Sequence, residues 1–223
     1  MEEKLLAIAD EVIALSASNE QIEVIAVHDQ ETDIRVYKGE LESFTASESQ
    51  GVGIRVVQDG RQGMAYAGSL DMEILKETLS EARDNATFGT FDEMLQIAEP
   101  DNVEPISLDL YNPALKEFAT EDKIALAKEL EEYIMKSDER IVGVESSEYV
   151  DSISASAIVT SSGIRRSSYD GGCYIAGSSL ASDGKDMQTG WGYSVGRDPA
   201  KLEIEKAGSL ASERATRMLG AQK

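Results

Sequence analysis

The sequence predicts an α+β fold of antiparallel β-sheets flanked by helices, built as two helix–β-meander–helix repeats. Three observations carry this. Residues 51–82 read in one stretch as strand, two-residue turn, strand and helix. An amphipathic stretch at residues 4–17 supplies a helix ahead of a run of strands. The chain beyond residue 104 then repeats that order of elements around its own Asp183-Gly184 turn and terminal helix. Taken as a duplication, the pattern divides the chain into a first α+β repeat over residues 1–104 and a second over residues 105–223.

In the first repeat, Leu5, Ile8, Ala9, Val12, Ile13 and Leu15 fall mostly along one side of a helix, with Glu2, Glu3, Lys4, Asp10 and Glu11 supplying its charged remainder. Ile22, Val24 and Ala26 mark a largely buried strand. Further strands follow at residues 32–37 and 40–47, with Gly39 between them. Residues 53–57 and 63–67 flank Asp59-Gly60, a dipeptide that tolerates the positive φ angles of a type I′ turn. That makes about five strands in meander order. Leu70, Ile74, Leu75, Leu79, Ala82 and Ala86 then recur at helical spacing, with Ser69 and Asp71 placed to accept the free N–H groups of the first turn. Residues 89–104, containing Phe91, Met94, Leu95 and Pro100, read as a surface connector with a short helical turn.

Residues 105–113 form an extended bridge, because each of its two prolines disfavours helix in the residue before it. Thr120 is placed to cap a helix with Glu121 and Asp122 in its first turn and Ile124, Ala127, Leu130, Tyr133 and Ile134 on its apolar face, ending near Ser137. Strands are expected at residues 142–150, 152–160, 163–169, 172–182 and 187–195. A helix over residues 199–219 closes the repeat, with Asp198 as N-cap, Pro199 at the first position, and Leu202, Ile204, Ala207, Leu210, Ala211, Ala215 and Leu219 facing inward.

Composition narrows the partners. The formal charge of −21, from 42 acidic and 21 basic residues, repels phosphate backbones and anionic lipid. Nucleic acid and membrane surfaces are therefore excluded as expected partners. Two readings of the acidity stand: a well-hydrated surface, or attraction to a basic partner. No run approaches the roughly 20 apolar residues of a membrane helix, and the N-terminus opens with acids, unlike a signal peptide. The expected compartment is the cytoplasm, and a single cysteine, Cys173, agrees with a reducing one.

The chemistry-bearing residues are sparse. Cys173 has no neighbouring base, and the chain's one histidine, His28, lies 145 positions away. A helix-borne zinc site needs two imidazoles one turn apart, so His28 reads as a histidine hydrogen-bonded at a strand terminus beside Asp29. Serines at 146, 147, 152, 154, 156, 161, 162, 167 and 168 would have to recruit His28 to form a triad, and read instead as small hydroxyls on strands. Gly51-Val52-Gly53 and Gly171-Gly172 lack the context of a phosphate-binding loop. Glu145 with Glu148, and Asp183 with Asp186, match no twelve-residue calcium loop and read as solvated turns. Trp191 and Tyr193 point to one face of a strand, where they either pack under a helix or contact a peptide. No catalytic, cofactor-binding or metal-ligating residue is assigned.

Residues 51–82, the Ser107-Leu108-Asp109-Leu110-Tyr111-Asn112-Pro113 phrase, residues 157–164 and residues 192–215 together resemble the TldD/PmbA family of zinc metallopeptidases, also described as modulators of DNA gyrase. The resemblance spans nearly the whole chain and favours the PmbA (TldE) branch over the TldD branch. It implies the N-terminal domain of a family member about twice this length, with the family's C-terminal domain absent. It further implies a cytoplasmic assembly with a TldD-like or PmbA-like subunit, as a homo- or hetero-oligomer, that degrades or matures peptides and encloses a chamber. In that picture the zinc-binding HExxxH motif belongs to the TldD-type subunit, and this chain carries no such motif and no cofactor. The expected role is a scaffold that is non-catalytic by itself and helps wall the chamber or offers a sheet edge to an unfolded peptide. The alternatives are a stand-alone acidic interaction module and an independent hydrolase using Cys173 or a serine with His28.

Overall fold

A computed structural model describes residues 1–101, 103, 104, 106 and 108–221. The first half runs α1 (Glu2–Ile13), β1 (Gln21–Tyr37), β2 (Glu40–Gln58), β3 (Arg61–Ala67) and α2 (Met72–Thr87). After the four-residue α3 (Ala114–Glu117), the second half repeats the plan: α4 (Thr120–Ser137), β4 (Ile141–Thr160), β5 (Arg165–Ser182), β6 (Met187–Gly196) and α5 (Ile204–Met218). The strands form a six-stranded sheet in the order β3-β2-β1-β4-β5-β6. β2 and β3 pair antiparallel from Val52↔Ala67 to Gln58↔Arg61, and β5 and β6 from Cys173↔Gly196 to Ser182↔Met187. The α+β, antiparallel, helix-flanked expectation is met.

Each half has three long strands where five were expected. The expected breaks fell on polar runs such as Asp29 to Glu31, Glu48 to Gln50 and Asp151, all of which continue as extended backbone. An antiparallel strand keeps polar residues wherever one of its faces is open to water, so polarity alone does not end it.

By contacts the chain forms two compact units. The first comprises Met1–Asp29, Glu48–Leu108 and Ser154–Asp170. Its core packs Leu5, Ile8, Ala9 and Val12 of α1 and Leu75, Leu79 and Ala82 of α2 with Ile22, Val24, Ile54, Val56 and Val159 of the strands. The β2–β3 turn has the expected form, with Asp59 at φ 51° and Gly60 at φ 67°. Asp71 caps α2 by accepting the Glu73 and Ile74 N–H groups, and Ser69 Oγ accepts from the Asp71 N–H. The connector makes one turn, with the Leu95 N–H donating to the Asp92 carbonyl at 3.2 Å, and buries Ile97, whose N–H donates to Gln21 Oε1 at 2.9 Å. Residue 102, and Pro105 and Ser107 of the expected extended bridge, lie outside the described residues.

The second unit comprises Gln30–Ser47, Asp109–Ile153 and Gly171–Lys223. Here α4 and α5 cover one sheet face, burying Ala127, Leu130 and Ile134 of α4 and Ala207, Ala211 and Ala215 of α5 with Tyr149 and Ile175. Two expected caps differ. Thr120 is the first residue of α4 and Ala119 is its N-cap, without a side-chain cap bond. Asp198 does accept from the Ala200 N–H, but it caps a short 3-10 turn, Pro199–Lys201. Leu202 and Glu203 then run extended before α5 starts, because Leu202 turns inward and Ser194 Oγ accepts the Glu203 N–H at 2.9 Å. In both units the last strand of a meander meets the following helix through glycine. A Cβ on Gly63 would lie 2.2 Å from the Ala82 carbonyl oxygen of α2, and one on Gly190 would lie 2.1 Å from that of Ala211 in α5.

Candidate functional site

The chemistry-bearing residues fall into structural roles. His28 lies in the middle of β1, not at its end, and its buried ring places Nε2 2.6 Å from Glu48 Oε1 on β2. This is one carboxylate and one imidazole with no nucleophile between them. Cys173 is buried on β5, its Sγ donating to the Gly196 carbonyl at 3.5 Å. Burial, followed by the Asp151 charge, pushes its thiol up to about 12, so the nucleophilic thiolate is suppressed.

The serine hydroxyls serve the fold. Ser147 donates to the Ala127 carbonyl of α4, Ser162 to the Ala98 carbonyl, Ser154 to Asp29 and Ser167 to Glu2. Asp183 closes the β5–β6 turn by accepting the Lys185 and Asp186 N–H groups, as a solvated turn does. Glu145 and Glu148 differ from that expectation, since both lie within β4. Among the described residues no three His, Cys, Asp or Glu side chains gather as a metal site requires.

The second unit holds two features that sequence reading missed. Lys123 on α4 and Asp151 on β4 form a buried ion pair at 2.5 Å, and the Tyr149 hydroxyl donates to the same Asp151 oxygen at 2.8 Å. The first signal was available: Lys123 sits in register with Ala127, Leu130 and Ile134 on the buried stripe of its helix. Second, buried Glu131 accepts the N–H groups of Lys38 and Gly39, each at 2.6 Å, and so clamps the β1–β2 turn to α4. That turn, with Met135, Val142 and Leu180, lines a cleft of about 840 Å³.

The sheet margin of the second unit carries little edge protection in its own sequence, although Arg214 of α5 donates to the Trp191 carbonyl of β6 at 2.6 Å. β6 is a terminal strand of the sheet and carries no charged residue and no proline along its ten positions. Natural edge strands usually carry charges, prolines or bulges that block pairing with another chain. The β2–β3 ladder begins only at Val52, so in the second unit the outer edge of residues 40–47 has no described strand beside it. Trp191 and Tyr193 lie on β6 with ring centroids 4.8 Å apart and are 48% and 40% exposed. The core-packing reading for this pair is corrected: glycines 190 and 192 occupy the helix-facing positions, and the two rings point the other way.

Two family models match the chain in consecutive order: PmbA/TldA metallopeptidase domain 1 over residues 22–86 and the PmbA/TldA metallopeptidase central domain over residues 113–219. The chain belongs to the TldD/PmbA family. Metalloprotease PmbA of Escherichia coli O157:H7 is 23% identical over 167 residues, covering 74% of this chain and 37% of that protein. The fold matches a candidate modulator of DNA gyrase from Thermotoga maritima at a TM-score of 0.80 and 22% identity, over 97% of this chain and 49% of that one. TldE from Thermococcus kodakarensis matches at a TM-score of 0.77 and 17% identity, over 95% of this chain and 46% of that one. The chain thus spans about half the length of these solved TldD/PmbA-type structures. No described helix is long and apolar enough to cross a membrane.

Proposed function

We propose that this chain is the N-terminal scaffold of a PmbA/TldE-like subunit in a cytoplasmic peptidase assembly that degrades or matures peptides. In this reading residues 1–104 and 105–223 are the first and second α+β repeats of that one N-terminal domain. In this reading the chain contributes no catalytic residue and no zinc; the metal and its HExxxH motif reside in a TldD-like partner. The observation that carries the reading is the ordered family match combined with an uncharged terminal strand, β6. Backbone N–H and C=O groups along such an edge can pair with an extended peptide while tolerating many sequences, a property suited to a peptidase that receives unfolded chains.

Co-expression with a TldD-like subunit tests it. Recovery of both chains in one peak on size exclusion, with casein cleavage dependent on the partner, is the expected result. Failure of a tagged partner to retain this chain overturns the scaffold role, and casein hydrolysis by this chain alone overturns the non-catalytic one. The second reading, a stand-alone acidic module, is favoured by the charge of −21. Binding of that kind collapses as salt rises beyond about 0.15 M, where the screening length is roughly 8 Å, whereas strand pairing persists.

A further inference from the structure

Among the described residues of the second unit, α4 and α5 cover one sheet face, and the opposite face gathers aromatic and acidic side chains. α5 approaches β6 so closely at glycines 190 and 192 that Trp191, Tyr193 and Val195 must occupy the opposite side. Register places Tyr174 of β5 opposite Val195 and Ala176 opposite Tyr193, so Tyr174 shares that side. Tyr174 in turn feels the charges of Glu148 on β4 and of Asp33 and Glu31 on β1. The Arg35 charge also reaches Glu148, but Arg35 is already engaged by Glu42 at 2.7 Å and by the Glu145 carbonyl at 3.2 Å. Glu148 is half-buried and its carboxyl lies above the usual range, first through burial and then through the Asp33 charge. The acids on this face are therefore crowded by their own kind.

We infer that this open face, Glu31, Asp33 and Glu148 beside Tyr174, Trp191 and Tyr193, docks a Lys- or Arg-bearing polypeptide segment. Charge complementarity selects the occupant. A cation here meets three carboxylates at one end and aromatic faces at the other, and aromatic rings attract Lys and Arg through their quadrupoles. A second copy of the chain would bring the same negative charge against itself, and an anionic polymer or lipid would be repelled. The inference goes beyond the scaffold reading and does not need strand pairing at the β6 edge.

Trp191 is the only tryptophan, so its emission reports on this face directly. The full chain is titrated at about 0.15 M salt with an eight-residue peptide alternating Lys and Gly, and with its Glu-Gly counterpart. Saturable change in Trp191 emission is expected with the first peptide only. The triple variant Glu31→Gln, Asp33→Asn, Glu148→Gln should lose at least about tenfold in affinity. The charge-matched variant Glu77→Gln, Glu81→Gln, Asp84→Asn on the exposed side of α2 should bind like the parent, with circular dichroism confirming that both variants fold. Absence of saturation, or equal loss in the two triple variants, overturns the inference. Either result leaves the co-elution test of the scaffold role standing.

Discussion

Replacing Asp151 with Asn is the sharpest test of the second unit's architecture. The substitution keeps shape and an acceptor for the Tyr149 hydroxyl but removes the charge opposite Lys123 Nζ, 2.5 Å away. Lys123 is 8% exposed, and its other contacts include the Thr32 hydroxyl at 3.4 Å and the Tyr149 ring, 5.7 Å from Nζ to its centroid. The cost is that of an uncompensated buried ammonium, roughly 3–5 kcal/mol. With a urea slope of about 2 kcal/mol per molar, the midpoint falls by about 2 M. Lys123→Met alone should cost a comparable amount by stranding the carboxylate. The double variant Lys123→Met, Asp151→Asn should recover more than half of either loss, since it leaves no charge behind. Urea unfolding followed by circular dichroism reads all three. A loss below about 1 kcal/mol for Asp151→Asn, or a double variant as unstable as the sum of the singles, would refute the claim that the pair is coupled in a desolvated site.

Three further outcomes are expected. Gly190→Ala should cost about 3 kcal/mol or more by driving a Cβ to 2.1 Å from the Ala211 oxygen, whereas Gly53→Ala, which meets nothing within 4 Å, should leave the melting temperature unchanged or higher. Cys173 in the folded chain should react with an aromatic disulfide reagent at pH 8 at least about 100-fold more slowly than in urea, because its suppressed thiolate is restored only on unfolding. Glu148→Gln should be slightly more stable than the parent at pH 7: its folded-state carboxyl lies above the ordinary 4.5, so the ionised form weakens the fold above that pKa. The advantage should vanish as pH falls through that pKa toward 4.5, and comparing chemical denaturation at pH 7 and pH 4 checks the sign.

The fold was legible where local chemistry dictates conformation. Asp59-Gly60 announced a hairpin because few other residues accept positive φ at both turn positions. Asp71 announced α2 because its carboxylate satisfies otherwise free N–H groups. The apolar spacing in α1 and α2 named their buried faces correctly through Leu5, Val12, Leu75 and Leu79. Strand length was not legible: Asp29 to Glu31 looks like a turn until the neighbouring strands and the open face are known. Lys123 and Asp151 are 28 positions apart, and their partnership is fixed only by helix packing. Trp191 and Tyr193 share a face by alternation alone, but which face is set by Gly190 and Gly192, whose closeness to α5 no periodicity reveals.

Each unit seats a helix on a glycine, α2 on Gly63 in the first and α5 on Gly190 in the second. At Gly63 and Gly190 the neighbours are main-chain atoms, so no choice of side chain on the helix can make room for a bulkier residue. Sequence drift is thus barred at those positions and remains open on the reverse side, where Trp191 and Tyr193 project. Descendants of this chain can exchange the groups they show to visitors without reopening the question of how the helices are seated.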